Sequence, residues 1–587
     1  LFFNKRHKIL ILFLIFIGEF AIGQNLEKIG QKDFLTIHGG MNFNTVNYFV
    51  DGMESRRDPF TWFASGNITL SLLDVSIPLT YNYSNLGGKF TQPFNQFSLH
   101  PTYKWIKSHI GYTSMNFSNY TLAGHLFLGG GIELTPGKWN VQLMGGRLNK
   151  AIEYDAVADN LNQIAYRRIG YGMKAGYKSG EHEVNLILFK ANDDANSLLF
   201  VPFNSLVKPK DNFVSSISGK TKIFKNVLIE GEYAFSALTQ NIRDETEVES
   251  SFGSKLVNHF LNINSSTVGY NAYKGAVGYK FTKCEIKVNY EHIDPGYTTL
   301  GGYFFNNDLE NYTLSINANA LKGKLNFGIN SGVQYNNLDG QKSATTKRLV
   351  GSINASAAVT QKINVNGSYS NFSNFTRNRL RSDPFYTPLG DTLNFYNQTQ
   401  NASLASVFQF GSNTIKQNIQ AMFNYNQSIN VSGGFSSAGI YGIGAPVGVK
   451  FNVYTPNLVY GIQLPKLKLS VATGVNSNLT QLPTGNNLFI GPMLNGSKAF
   501  AKGFSVNIGS VYNRQYSSAE LISNVFNHKF SVSFKPKSRH GRQAGKNPNY
   551  GNINFSCNAN WMQKLPVNNL TNKINEINIF TALSYAF

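Results

Sequence analysis

Stretch after stretch of this chain alternates apolar and polar residues with a period of two. From Cys284 to His292, Cys284, Ile286, Val288 and Tyr290 fall on one face, and Glu285, Lys287, Asn289 and Glu291 on the other. From Leu325 to Tyr335, Leu325, Phe327, Ile329, Val333 and Tyr335 oppose Asn326, Gly328, Asn330, Gly332 and Gln334. The scheme recurs in Tyr312 to Ala320, Ile363 to Tyr369, Leu467 to Val475, Phe504 to Tyr512 and Phe526 to Phe534. Successive side chains of a strand point to opposite faces, so the pattern reads as sheet with one apolar and one polar face. A helix would space its apolar residues three and four apart, and these stretches do not.

The connections have a rhythm of their own. Short polar turns stand at Pro136-Gly137-Lys138, Lys178-Ser179-Gly180-Glu181, Phe224-Lys225-Asn226, Thr282-Lys283, Lys322-Gly323-Lys324, Gln361-Lys362, Pro465-Lys466 and Lys502-Gly503. Between them lie two strands and a longer stretch rich in Asn, Asp, Ser and Gly, such as Thr239–Ser266 or Ser373–Gln400. This is a meander with tight turns at one end and long loops at the other. No shift in composition marks a second domain.

Composition narrows the class. Of 587 residues only 14% are charged, against the usual quarter, while Tyr and Phe number 30 and 45. A disordered chain would not hold so many aromatics. After residue 23 there is no apolar run of the ~20 residues that a membrane helix needs. Tandem soluble β-sandwiches would also alternate. A closed membrane barrel is favoured by strands of about 9–13 residues, enough for a tilted bilayer crossing, where soluble strands average about 5–6. It is favoured too by the short and long connections, by aromatics near strand ends (Trp62, Trp105, Trp139, Trp561) and by a polar face of Asn, Ser, Gly and Gln. Counting hairpins predicts an all-β, single large antiparallel up-and-down transmembrane β-barrel of about 26 strands, within a range of about 22 to 28. At about 4.8 Å between strands tilted by about 40°, its diameter is near ~50 Å. A lumen that wide would abolish the membrane barrier if left open, so long loops folded inward, or another polypeptide, are expected to occupy it.

The first residues read as an address label. Lys5, Arg6 and Lys8 form a basic region, Ile9 to Ile17 an unbroken apolar one, and Ala21-Ile22-Gly23 supplies small residues for a signal peptidase. Residues 1–23 are predicted to be a cleaved signal peptide, since about nine apolar residues cannot anchor a chain across a bilayer. Residues 24–34 are expected to form a short periplasmic segment, and 35–587 the barrel. Cys284 and Cys557 are too few and too far apart for a disulfide framework or a metal site.

The net charge of +21 needs a location. By strand parity Arg168, Lys174, Lys274, Lys280, Lys287 and Lys529 share the polar face, which makes them the basic candidates for lining a pore and favouring anions. The competing reading has them solvated, neutralised by neighbours such as Glu285 and Glu291, or set at the rim against lipid phosphates. Nucleic-acid binding is not expected of an exported chain. Catalysis finds little support, and no catalytic, metal or cofactor site is expected. His100, His109, His125, His182, His292 and His528 are dispersed, and no pair has helical metal-ligand spacing. Asn192-Asp193-Asp194-Ala195-Asn196 lacks the spacing of a calcium loop and reads as a solvated loop. Gly129-Gly130-Gly131 and Gly145-Gly146 lie inside strands, where close backbone approach or a bend explains them.

The last segment runs from Ile577 to Phe587. Ile577, Ile579, Leu583, Tyr585 and Phe587 share one face, and Asn578, Ala582, Ser584 and Ala586 lie mostly on the other. A final strand ending in Phe, with an aromatic at the third position from the end, resembles the targeting signal of Gram-negative outer-membrane β-barrel proteins. The resemblance is to the porin-like class. TonB-dependent receptors are poorer relatives, because strand-like alternation starts near Leu35 and leaves no room after the cleavage site for their plug. The resemblance implies that Leu583, Tyr585 and Phe587 form a signal read by the barrel-assembly machinery. It also implies an outer-membrane location, with lipid and lipopolysaccharide as surroundings. Three functions follow as expectations: a channel for hydrophilic solutes, anions among them; a structural or secretion-associated barrel holding a lumenal or periplasmic partner protein; and, least, a barrel enzyme.

Overall fold

The computed structural model describes residues 35–587 apart from 73, 86–95, 157–163, 204, 206, 247–259, 304–306, 342–346, 372, 376–395, 431–448, 501–502, 537–551 and 568–571. The expected signal peptide and the 24–34 segment lie outside the described residues.

A single antiparallel sheet contains every strand, each paired with its neighbours in sequence. The sheet comes full circle: Leu35–Asp51 pairs with Phe60–Leu72 on one side and with the last strand, Ile574–Ala586, on the other. Two strands are interrupted. His100 and Pro101 split one into Gln96–Leu99 and Thr102–Tyr103, both placed between Val75–Ser84 and Ile106–Asn116. Ile363–Ser370 and Ser373–Phe375 likewise share Tyr396–Gly411 as partner. Counted so, the chain is a closed barrel of 26 strands, the number read from its hairpins. The strands reach 17 residues in Leu35–Asp51, longer than the alternating runs indicate.

Parity assigns the faces. Val184, Leu186, Ile217, Val277, Val288, Leu314, Leu458, Leu494 and Ile508 all point outward and are exposed. Their alternating neighbours Asn185, Ser218, Lys287 and Asn495 point into the lumen. A sheet with a greasy outside can rest in hydrocarbon only if no edge is left unpaired, and closure achieves that.

Among the described residues, tight turns fall at one end at the positions named from the sequence, with Lys502 outside the described residues, and Ser412–Ile415 belongs with them. The first described strand meets Phe587 there too: Gly39 and Phe587 exchange backbone hydrogen bonds of 2.9 and 3.0 Å. Leu583 and Tyr585 face outward, and the Tyr585 and Phe587 rings lie 5.5 Å apart. At the long-loop end the hairpin at Ser518 and Ala519 turns with φ of 48° and 75°, a left-handed turn without glycine. Aromatics ring both ends: Trp62 sits 6.1 Å from Phe43 and 5.6 Å from Tyr83, and Trp139 sits 5.0 Å from Tyr177 at the tight-turn end. Trp561 lies deeper, 5.2 Å from His528.

The face assignment is testable at one pair of neighbours. Leu494→Arg places a charge against lipid and should cost about 2–4 kcal/mol, whereas Asn495→Arg, on the wet side, should cost well under half of that. Denaturant unfolding in lipid vesicles measures both, and equal costs would reverse or dissolve the two faces.

Candidate functional site: the lumen wall and its inward loops

Two connections leave the long-loop end and fold back into the lumen. One is 117–122, after Ile106–Asn116; the other is 294–303, after Cys284–Ile293. They meet inside, although strands from six intervening positions in the ring separate their roots. Tyr297 Oη donates to the Tyr120 carbonyl at 2.8 Å, and Thr299 Oγ1 to the Thr121 carbonyl at 2.7 Å. Ala123 N donates to the Gly301 carbonyl at 3.0 Å. A Cβ on Gly301 would come within 2.6 Å of the Thr121 carbonyl oxygen and 2.8 Å of the Phe189 ring, so only glycine permits this approach.

The wall receives the loops on both polar and apolar terms. Asn212 is fully buried; its Oδ1 accepts from Leu300 N at 3.0 Å, and its Nδ2 donates to Ser236 Oγ at 2.8 Å. Ser236 in turn donates to the Thr298 carbonyl at 2.7 Å. Phe117, Leu122 and Leu300 from the loops pack on inward Phe127, Leu148, Ile187, Phe189 and Val214. Gly172 leaves the room for Phe117, whose ring carbon would lie 2.7 Å from an added Cβ. Each buried Leu or Phe contributes about 1.5–3 kcal/mol. Three such anchors outweigh thermal energy several-fold, so the loops are held to the wall.

Beneath the loops the wall becomes charged. A recess of 460 Å³ is lined by Glu183, Lys220, Glu230, Glu232, Lys274 and Glu291 among Asn and Ser side chains. Lys274 Nζ lies 3.1 Å from Glu232 Oε2, and Lys287 Nζ lies 2.6 Å from Glu230 Oε1. Glu291 accepts from Tyr120 Oη at 2.6 Å and from Asn311 Nδ2 at 3.0 Å. Lys274 Nζ is also 4.9 Å from the centre of the Tyr120 ring. Burial, followed by the charge of Glu291, pushes the Tyr120 phenol far above its ordinary range, and burial does the same to Tyr297. Both therefore stay protonated and act as donors.

The six basic residues named from the sequence separate into three groups. Arg168 forms a two-pronged pair with Asp193 at 2.7 and 3.0 Å, and Lys274 and Lys287 hold glutamates. Those glutamates come from Val227–Thr239, next to the strand of Lys274 and two strands from that of Lys287, rather than from Glu285 or Glu291. Lys174 Nζ donates to the Phe117 carbonyl at 3.3 Å, joining wall to loop. Lys280 lies exposed at the tight-turn end opposite Glu285 in register, and Lys529 lines a second recess of 460 Å³ among Asn495, Asn507, Asn558 and Asn560. Asp194 of the Asn-Asp-Asp-Ala-Asn stretch pairs with Arg167, which holds its carboxyl below the usual range.

One constellation escaped the sequence reading. The break at His100 and Pro101 brings His100 Nδ1 to 3.0 Å from His109 Nδ1, while His109 Nε2 lies 2.6 Å from Glu133 Oε1 and Lys107 Nζ 3.2 Å from the same oxygen. His109 and Glu133 belong to adjacent strands and share the inner face; only register could have paired them. Among the described residues no group of three His, Cys, Asp or Glu is placed to hold a metal ion.

A closed sheet, an apolar outside and a wet, occupied inside define a transmembrane β-barrel of the outer-membrane class. No protein-family model and no curated protein sequence matches the chain. Among solved structures, the P pilus usher (PapC) translocation pore matches at 10% identity, covering 94% of this chain and 99% of that one with a TM-score of 0.38. The unliganded ferric citrate transporter FecA matches at 8% identity over 94% of this chain and 78% of that one, with a TM-score of 0.37. OccK3 (OpdO) of Pseudomonas aeruginosa matches at 8% identity over 96% and 100%, with a TM-score of 0.25. At this level of similarity neither cargo nor partner passes to this chain.

The lumenal pairing has a measurable consequence. Glu232 is buried and relies on Lys274 and on Ser216 Oγ at 3.0 Å. Lys274→Met alone should cost about 1–3 kcal/mol, because it strands a buried carboxylate; adding Glu232→Gln should restore part of that. Additive losses in a double-mutant cycle would deny the coupling.

Proposed function

We propose that the chain is an outer-membrane transport barrel for hydrophilic solutes, with its lumen narrowed by its own 117–122 and 294–303 loops. The observation that carries this reading is the meeting of the two loops inside the ring. They are fastened through Tyr120, Tyr297, Thr299 and Asn212, so the barrel holds a fixed internal obstruction above a solvated, charged recess. The wall opposite is lined by amides and hydroxyls, which exchange hydrogen bonds with hydrated solutes at little cost. Arg168, Lys274 and Lys287 carry counter-charges, so attraction for anions rests on Lys280, Lys529 and Lys174. Double replacement Lys280→Glu with Lys529→Glu should shift the reversal potential toward cations; an unchanged potential would remove any preference of the lumen for anions.

Reconstitution tests the obstruction. In planar bilayers Gly301→Val, which drives a side chain into Thr121 and Phe189, should conduct more than the wild type, because it frees the sector of the lumen that the loops fill. Equal conductance of the two proteins would refute the reading. A protein recovered from mildly solubilised membranes in stoichiometric complex with a second polypeptide would favour a barrel built around a partner.

A further inference from the structure

The recess under the inward loops is unusual in its charge balance. Glutamates Glu183, Glu230, Glu232 and Glu291 and lysines Lys220 and Lys274 line it from five consecutive strands. Internal pairing cancels part of this set: Lys274 answers Glu232, and Lys287 answers Glu230. Glu291 faces Lys274 in register, but its hydrogen-bond donors are the neutral Tyr120 and Asn311, while Lys274 is within ion-pair distance of Glu232. Lys220 is exposed and has no carboxylate within ion-pair distance among the described residues. What is left is an ammonium at one side of the recess and a carboxylate at the other. Glu183, directly opposite Lys220 in register and hydrogen-bonded by Asn185 at 3.1 Å, denies that side a net positive charge.

Register gives the separation. Lys220 pairs with Glu230, Glu230 with Ala276 and Ala276 with Asn289, the strand that also carries Glu291. Three inter-strand steps of about 4.8 Å, with the two residues along the strand from Asn289 to Glu291, make about 16 Å along the wall. An extended peptide covers about 3.3–3.6 Å per residue, so this span fits roughly four residues between a terminal carboxylate and a terminal ammonium. Ser218 beside Lys220, and Asn289 and Asn311 beside Glu291, offer partners to peptide amides, while the paired Glu232 and Lys274 line the wall between. A bare anion would meet more carboxylates than ammoniums here, and a bare cation would meet Lys220.

We propose that this recess binds short zwitterionic peptides of about four residues, with the carboxylate terminus on Lys220 and the ammonium terminus on Glu291. The proposal rests on the lumen being the path of a solute, and it deepens that reading by naming the solute class. A peptide so bound lies against the Tyr120 latch, since Tyr120 and the incoming ammonium share Glu291.

Calorimetric titration of the purified full chain in detergent tests this without any flux. Tetraglycine should bind, and both N-acetyltetraglycine, which lacks the ammonium, and tetraglycine amide, which lacks the carboxylate, should bind about tenfold or more weakly. Lys220→Met removes an exposed side chain with no ion pair among the described residues, and should weaken tetraglycine about tenfold while leaving tetraglycine amide unchanged. Glu291→Gln still accepts from Tyr120 and should weaken tetraglycine while sparing N-acetyltetraglycine. No binding of tetraglycine, equal binding of the capped peptides, or an unaltered affinity in Lys220→Met would each overturn the proposal. Tetraglycine binding without liposome flux would instead overturn transport and leave the site standing.

Discussion

Pairing of the first strand with the last is the constraint on which the rest depends. An unpaired strand edge in hydrocarbon strands backbone N–H and C=O groups at several kcal/mol each. The antiparallel ladder between Gly40–Asp51 and Asn575–Ala586 removes both edges at once. Once the ring is shut, every strand has one side for lipid and one for water, and the period-two sequence has only one way to be read. The same closure creates the difficulty of an interior far wider than side chains can fill. The inward loops answer that difficulty over one sector of the ring.

That sector shows how an apolar cluster arises inside a wet lumen. On His182–Asp193, Leu186 and Leu188 follow the outward rule, yet inward Ile187, Phe189 and Ala191 are also apolar and fully buried. They would be misplaced in an open pore. They are explained by Phe117, Leu122 and Leu300, which cover them from within. The strand is thus apolar on both faces for about half its length, as is usual for strands covered on both sides. Elsewhere, as on Phe504–Ser517, the inward positions Ser505, Asn507 and Gly509 remain polar or small.

These contrasts decide what could be read beforehand. Face and turn position are local or nearly so, and closure follows from an apolar outer face that tolerates no unpaired edge. Alternation fixes the face of Lys287, and the turn at Phe224-Lys225-Asn226 fixes the register of its two strands. The hairpin at Ser518 and Ala519 was not legible, because neither residue advertises a left-handed backbone. The partners of the lumenal charges were not legible either. Glu291 lies in the same alternating run as Lys287 and looks like its counter-ion, but residues two and four apart on a strand stand in line along the wall. The register partner of Lys287 on Thr267–Lys280 is Gly278, and Glu230 reaches it across that strand from Val227–Thr239, two strands away. The contact of Tyr120 with Tyr297 spans 177 residues and depends on the curvature of the whole ring.

The two loops and the charged recess are best understood as one arrangement. Tyr120 is the joint. Its carbonyl is held by Tyr297, its ring stands against Lys274, and its hydroxyl donates to Glu291. Because its phenol is kept protonated by burial and by the glutamate itself, the hydroxyl can act only through its proton toward Glu291. Any group that competes for that carboxylate acts on the loop as well as on the wall. Coupling of this kind needs no long-range path, since one oxygen is shared between the obstruction and the recess. It also has a sign: a cationic group at Glu291 weakens the hold of the loop, whereas an anion at Lys220 leaves it untouched.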